Sequence, residues 1–210
     1  MEYVVSIRIS FPEIVSNILK QEKDKFVAEY GSSYKTEPHI TLYLDRYTRE
    51  GFPQLLHDLQ ELRVHPFTIS LLGPKVTREK DRHRNFYVVD VSNKEQLRQL
   101  HANVSEIAIR YRSPLLRHSV WQQLERQGIH TDGTHESLKG TDVVQVFDPH
   151  ITLGEVSIDD PQPDLKDVQK NLKELEGKNI VVSNLVVVFD GKTDGDEKFK
   201  LIEKVSIPLS

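Results

Sequence analysis

The chain is 210 residues long, contains no cysteine and carries a formal net charge of −4. That length suits one large domain, or two lobes sharing a core, better than two independent domains. The missing cysteines exclude disulfides, thiolate catalysis and cysteine-ligated metals, and the acidic balance argues against tight non-specific binding to duplex DNA.

The opening stretch, "MEYVVSIRIS", alternates apolar and polar residues and predicts a strand. It has neither the basic start nor the small-residue cleavage site of a secretory leader. No apolar run is long enough to span a membrane, so a cytoplasmic protein without a membrane partner is expected. Ser10-Phe-Pro-Glu13 has the pattern of a capping box. The helix it would open places Ile14, Val15, Ile18, Leu19 and Phe26 on one face and ends near Gly31. "HITLYL" predicts a strand. "FPQLLHDLQEL" predicts a helix with Phe52, Leu55, Leu56, Leu59 and Leu62 inward. "PFTISLLG" and "NFYVVDVS" predict two further strands. Ser92-Asn-Lys-Glu95 reads as a second capping box, opening a helix with Leu97, Leu100, Val104, Ile107 and Ala108 inward.

From Tyr111 to Gln145 the periodicity fades, and the segment holds Pro114, Gly128, Gly133, Gly140 and Trp121. A long connection of this kind is expected to be an insertion that forms part of a lid. "HITLGEV" then predicts a strand, "DLKDVQKNLKEL" a helix packing Leu165, Val168, Leu172 and Leu175, and "NIVVSNLVVVF" and "FKLIEKVSIPL" two strands joined by the turn-rich "DGKTDGDEK". The order strand–helix–strand–strand thus occurs twice.

The fold class expected is α+β: a duplicated, bilobal arrangement in which two antiparallel sheets line a central cleft, with helices packed outside. The whole chain, 1–210, reads as one domain. A lobe of about 1–92 precedes a helix and insertion over about 93–146, and a second lobe covers about 147–210, the lobes exchanging strands.

The duplication is marked by an exact repeat. "EPHITLYL", Glu37 to Leu44, and "DPHITLGEV", Asp148 to Val156, share Pro-His-Ile-Thr-Leu 111 positions apart, each time after an acid. In a strand, side chains alternate faces. His39, Thr41 and Tyr43 are therefore expected on one face, as are His150, Thr152 and Gly154, with imidazole and hydroxyl about 7 Å apart. Packing alone needs Ile and Leu, not His and Thr. Two imidazoles and two hydroxyls lining one cleft suit phosphoryl transfer. One neutral imidazole takes a proton from the attacking oxygen, and the other, protonated, gives one to the leaving oxygen. The threonine hydroxyls donate to non-bridging phosphate oxygens. Such a site requires no metal and no cofactor.

Between Lys75 and Arg117 there are ten Lys/Arg against five acids, a local +5 that leaves −9 on the remainder. A positive region on an acidic protein suits a small anionic substrate. Within it, Arg82, His83 and Arg84 can reach a phosphate or form a solvated hairpin loop. Arg110, Arg112 and Arg117 of the acid-free "RYRSPLLRH" are further candidates for phosphate contact. Tyr43 is a candidate to stack on a base. Gly154 either leaves room for substrate or marks a bulge. His118, His130 and His135 lack a metal-ligand spacing. Glu37 and Asp148 are expected to orient the strand backbone, and Pro38 and Pro149 to set the strand entry.

With these motifs the chain resembles the two-histidine phosphoesterase superfamily, and within it the bacterial RNA 2′,3′-cyclic phosphodiesterases, also called 2′-5′ RNA ligase-like proteins. The resemblance implies metal-independent action on 2′,3′-cyclic phosphates, 2′-5′ linkages or related nucleotide phosphoesters. It implies that His39 is the acid protonating the leaving 3′ oxygen and His150 the base activating water. The partner expected is a small nucleotide or RNA-end substrate, and the protein is expected to be a monomer. Cleavage or formation of 2′-5′ phosphodiesters is the neighbouring alternative. A nucleotide-binding module without turnover and a metal-dependent histidine enzyme are alternatives of different classes.

Overall fold

A computed structural model describes residues 2–79, 83–126, 128–138, 147–190 and 201–210. The strands are β1 (Glu2–Ser10), β2 (His39–Thr48), β3 (Phe67–Glu79), β4 (Arg84–Val91), β5 (His150–Ser157), β6 (Asn179–Val182), β7 (Asn184–Asp190) and β8 (Leu201–Pro208). The helices are α1 (Glu13–Tyr30), α2 (Gly51–Gln60), α3 (Lys94–Tyr111), α4 (His118–Arg126) and α5 (Leu165–Asn171).

The strands form two four-stranded sheets, ordered β2-β1-β7-β8 and β5-β4-β3-β6. Every pairing is antiparallel. The fold is the expected α+β arrangement of two antiparallel sheets with helices. Neither sheet is contiguous in sequence: β7 and β8, from the C-terminal end, complete the sheet that β1 and β2 begin. The two strands that open on the repeated motif, β2 and β5, are each the edge strand of their sheet, and they contact one another.

The helices cross between sheets. The first, α1, leaves β1 of one sheet and packs on β5 of the other, while α3 leaves β4 of the second sheet and packs on β2 of the first. One apolar cluster therefore runs through both halves. It includes Val5, Ile7 and Ile9 of β1, Leu19 and Phe26 of α1, Leu97, Leu100 and Val104 of α3, and Ile40, Leu42, Ile151 and Leu153 of the two repeats. Burial on this scale is the main favourable term in folding.

Several local expectations are corrected. Neither capping box forms. Ser10 belongs to β1, and α1 begins after Pro12 without a side-chain cap. Ser92 is diverted, its hydroxyl accepting from the Ser70 amide at 2.7 Å, while Asn93 adopts φ 57 and uses its side-chain amide on the Thr68 carbonyl. Ile14 is 71% exposed, because the buried stripe of α1 runs through Val15, Leu19, Glu22, Lys23 and Phe26. The run "NIVVSNLVVVF" is two strands. The chain leaves one sheet at Val182 and enters the other at Asn184, so Ser183 bridges the layers.

The segment after α3 is better ordered than its pattern suggested. It contains α4 and a 3-10 turn at Glu136–Leu138. It docks at the far end of β2, where the Ser113 amide donates to the Arg46 carbonyl at 2.7 Å and Tyr47 bridges Arg112. Tyr47 lies eight residues beyond His39, roughly 26 Å along the strand, so the contacts of Arg112 and Ser113 are made at the opposite end of β2 from His39. The remainder of the expected lid, 139–146, and most of the "DGKTDGDEK" turn lie outside the described residues. Gly31 ends α1 in the left-handed region, at φ 65.

Candidate active site

The first determinant of the site is an irregularity repeated in both sheets. Along β1 and β2, Arg8 pairs with Thr41 but Ile7 pairs with Tyr43, so Leu42 is one residue too many. Along β4 and β5, Val88 pairs with Thr152 but Tyr87 pairs with Gly154, and Leu153 is the extra residue. Each copy of Pro-His-Ile-Thr-Leu thus ends at a bulge placed on its leucine. A bulge re-phases the alternation of faces beyond it.

Before the bulge the expected geometry holds. His39 pairs with Ser10 and Thr41 with Arg8, on one face of their sheet. His150 pairs with Asp90 and Thr152 with Val88, on one face of theirs. Beyond the bulge the faces change. Tyr43 pairs with the buried Ile7, and Gly154 with the buried Tyr87. Tyr43 and Gly154 therefore leave the His-Thr face, contrary to strict alternation. Gly154 is needed for a different reason: a Cβ there would lie 2.7 Å from the Phe26 side chain of α1. Its missing side chain lets α1 pack closely on β5.

Both imidazoles are held in the same way. His39 Nδ1 lies 2.6 Å from the Glu37 carbonyl oxygen, and His150 Nδ1 lies 2.7 Å from the Asp148 carbonyl oxygen. A carbonyl only accepts, so Nδ1 carries the hydrogen and donates. The neutral ring is then fixed in the tautomer whose Nε2 has a free lone pair, and proton transfer is left to Nε2. Glu37 and Asp148 reach the imidazoles through their main-chain carbonyls.

The surroundings of the two rings differ. Asp148 is anchored by Lys94 at 2.9 Å and Lys75 at 3.2 Å, and Asp90 by the same lysines at 2.8 and 3.4 Å. The Lys94 ammonium beside Asp148 holds its carboxyl below the usual range, with Lys75 adding to the effect. This four-charge network ties β3, β4 and α3 to the carbonyl that orients His150. On the other side, burial pushes the His39 imidazole down to about 3, and the Arg8 guanidinium, the Lys23 ammonium and His150 act in the same direction, against the Glu37 carbonyl. These surroundings favour the neutral form of His39.

Two basic residues outside the repeat belong to this site. Lys23, on α1, is 3% exposed; its Nζ donates to the Thr152 carbonyl at 2.8 Å and lies 5.6 Å from the Tyr34 ring centre. Burial brings its ammonium down to about 8. Arg8 is half-buried, stands opposite Thr41, and donates from Nε to the buried Ser6 hydroxyl at 2.7 Å. The sequence carried a signal for both. Lys23 occupies a position in the buried stripe of α1 where an apolar residue belongs, and Arg8 is the only charged residue on the polar phase of β1 between Val4 and Ser10.

The remaining candidates point elsewhere. Tyr43 and Arg112 lie together, the Arg112 guanidinium 3.5 Å from the tyrosine hydroxyl and 3.9 Å from Asp45, which His135 approaches at 3.2 Å. Arg84 binds Glu155 at 2.6 Å, and Ser33 donates to the same carboxylate at 2.5 Å. Arg84 is four residues beyond the partner of Thr152, roughly 14 Å along the strand. Arg110 is on the outer side of α3 with Glu106 at 2.6 Å and Asp58 at 3.9 Å. His83 and His130 face Asp159 and Glu125. Arg82 lies outside the described residues. Among the described residues no three His, Asp or Glu side chains group as metal ligands, and no helix is long and apolar enough to cross a membrane.

The sequence matches the family model of the 2′-5′ RNA ligase superfamily over residues 19–190. No curated protein matches it. Among solved structures, TT0787 of Thermus thermophilus superposes with a TM-score of 0.60 at 18% identity, covering 97% of each chain. LigT of E. coli, crystallised with 3′-AMP, superposes with a TM-score of 0.55 at 14% identity, covering 98% of each chain. LigT with NADP+ gives 0.54 at 14% identity over 99% of each chain. At these identities the likeness is one of fold.

Proposed function

The chain belongs to the 2′-5′ RNA ligase superfamily of two-histidine phosphoesterases, and from that premise we propose that it is a metal-independent phosphodiesterase opening the 2′,3′-cyclic phosphate of a nucleotide or RNA end to a 2′-phosphate. The observation that carries the reading is the matched pair of imidazoles, each donating from Nδ1 to the carbonyl two residues earlier and each sharing a sheet face with a threonine. Membership by itself gives phosphodiesterase-type chemistry. The cyclic substrate and the direction of cleavage are the proposed part.

In this mechanism His150, neutral, takes a proton from water on Nε2 as the water oxygen bonds to phosphorus. The bond from phosphorus to the 3′ oxygen breaks, and that oxygen receives a proton from Nε2 of His39. Thr41 and Thr152 donate to the non-bridging oxygens, where charge accumulates. The binding of 3′-AMP, ATP and NADP+ by LigT supports a small nucleotide as ligand here. Tyr43, Arg84, Arg110 and Arg112 have no part in this reading, since their contacts direct them away from the two threonines.

The test is an assay of purified protein in chelator against 2′,3′-cyclic nucleotides, cyclic-phosphate-ended RNA and 2′-5′ dinucleotides, with the product examined by phosphorus NMR. A 2′-phosphate from the cyclic substrates is expected. Turnover only of the 2′-5′ dinucleotide, or only with added divalent metal, overturns the proposal.

A further inference from the structure

The helices that cross between the sheets grip both His-Thr strands, and each grip falls at a bulge. Lys23 of α1 donates to the carbonyl of Thr152, the residue before the bulge on β5. Its counterpart on α3 is His101, a half-buried residue with no part in the acid–base scheme. His101 Nδ1 lies 2.6 Å from the carbonyl oxygen of Leu42, the extra residue of the bulge on β2. The extra residue of a bulge has no partner across the ladder, so the imidazole takes up a main-chain group that the sheet leaves over. The carbonyl only accepts, so Nδ1 carries the hydrogen. The face of the same ring meets the approach to the second motif. It stacks on Phe147, with ring centres 4.1 Å apart and planes inclined by 5°. Phe147 immediately precedes Asp148, whose carbonyl orients His150. Two turns earlier on α3, about 10 Å along the helix, Lys94 binds the Asp148 carboxylate at 2.9 Å.

We propose that His101 is a positioning residue that sets the separation of the two His-Thr motifs, by tying the bulge of β2 to the segment that delivers His150. The proposal rests on the two-histidine reading above and supplies what that chemistry needs from the fold. Transfer in line requires one imidazole on each side of phosphorus, yet His39 and His150 stand on different sheets. Their strands, β2 and β5, are edge strands that touch without sharing a ladder. Main-chain hydrogen bonds therefore do not fix the distance between them, and side chains must. His101 is a rigid ring bonded to one motif at its edge and stacked against the other at its face, so a displacement of either is passed to its neighbour. It acts through the Leu42 main chain and the Phe147 ring. A misplacement of about 1 Å in such a site costs about 100-fold in rate.

The experiment compares His101→Phe, Phe147→Leu and the double variant in the full chain, by turnover of a 2′,3′-cyclic nucleotide and by hydrogen exchange of the backbone amides. His101→Phe keeps a ring for the stack and removes the donor to Leu42. Phe147→Leu keeps the donor and removes the stack. Each single variant should lose about 10- to 100-fold in kcat with KM nearly unchanged. The double variant should lose no more than the worse single, because both changes cut one link. Phe147→Tyr keeps the ring and should keep the rate. Exchange should quicken across the cut, over β2 in Phe147→Leu and over β5 in His101→Phe, with β7 unchanged. A merely structural role would speed exchange in β7 as well and leave kcat intact below the unfolding temperature. Phe147→Leu, at a partly buried position, carries the test if His101→Phe does not fold. Wild-type kcat in either single variant, losses that multiply in the double, or exchange in Phe147→Leu that leaves β2 untouched overturns the proposal. Failure of the cyclic-phosphate reading has a different signature: no turnover by the wild type, with the exchange pattern still linking the two motifs.

Discussion

Lys23 Nζ donates to the carbonyl of Thr152 at 2.8 Å, across 129 positions of sequence. The bond joins α1, which follows the first strand of one sheet, to the second His-Thr strand in the other sheet. A charged ammonium in a 3% exposed position is costly, so the contact implies a use for the charge or for the bond.

Lys23→Met separates those uses. Burial holds the Lys23 ammonium at about 8, below its usual 10.5. Between those values the unfolded chain binds more protons than the folded one, so wild-type stability should gain a contribution as pH rises from 8 to 10.5. In Lys23→Met that contribution should vanish, while the Thr152 carbonyl loses its donor at a cost of about 1–3 kcal/mol, offset in part by removal of the buried charge. Urea unfolding at the two ends of that pH window measures both; an equal rise in the two proteins would remove Lys23 from the account.

Gly154→Ala should destabilise the fold by about 1–3 kcal/mol, the usual cost of overpacking. Its Cβ would sit 2.7 Å from Phe26. Removing the opposing ring with Phe26→Ala deletes the Cγ and Cδ1 atoms of the clash and should make the glycine change cheaper than in the wild type. A double-mutant cycle reads the coupling, and strict additivity would show that the two residues do not meet.

His39→Ala and His150→Ala should each fold, since both residues are half-buried, and each should lose about 10²–10⁴-fold in turnover of the 2′,3′-cyclic substrate. A near wild-type rate in either variant would end the two-histidine mechanism. The wild-type pH–rate profile should be bell-shaped, with limbs that belong to the coupled pair and not to one ring.

Thr41→Val and Thr152→Val keep the branched shape favoured in strands and remove one hydroxyl each. Loss of a donor to a charged oxygen should cost about 1.5–3 kcal/mol in kcat/KM. Unchanged steady-state kinetics in both variants would leave the threonines a purely structural part.

The pairing of the two motifs and the class of the fold were legible in the order of residues. The exact repeat of Pro-His-Ile-Thr-Leu identified His39, Thr41, His150 and Thr152 as a matched set, because identical residue types in matching slots of a duplicated pattern have no packing explanation. Apolar periodicity placed Leu97, Leu100 and Val104, and likewise Leu55 and Leu59, in the core, because helix faces are local geometry. Whatever depends on partners distant in the chain had to await the folded molecule. The bulges at Leu42 and Leu153 exist only relative to β1 and β4, so the turning of Tyr43 and Gly154 away from the His-Thr face was invisible to an alternation counted along one strand. The split at Ser183 depends on two sheets competing for a single apolar run. Arg8 and Lys23 acquire their place at the His-Thr face because β1 lies beside β2 and α1 crosses to β5. Electrostatic interaction depends on distance in space, and a sequence specifies only distance along the chain.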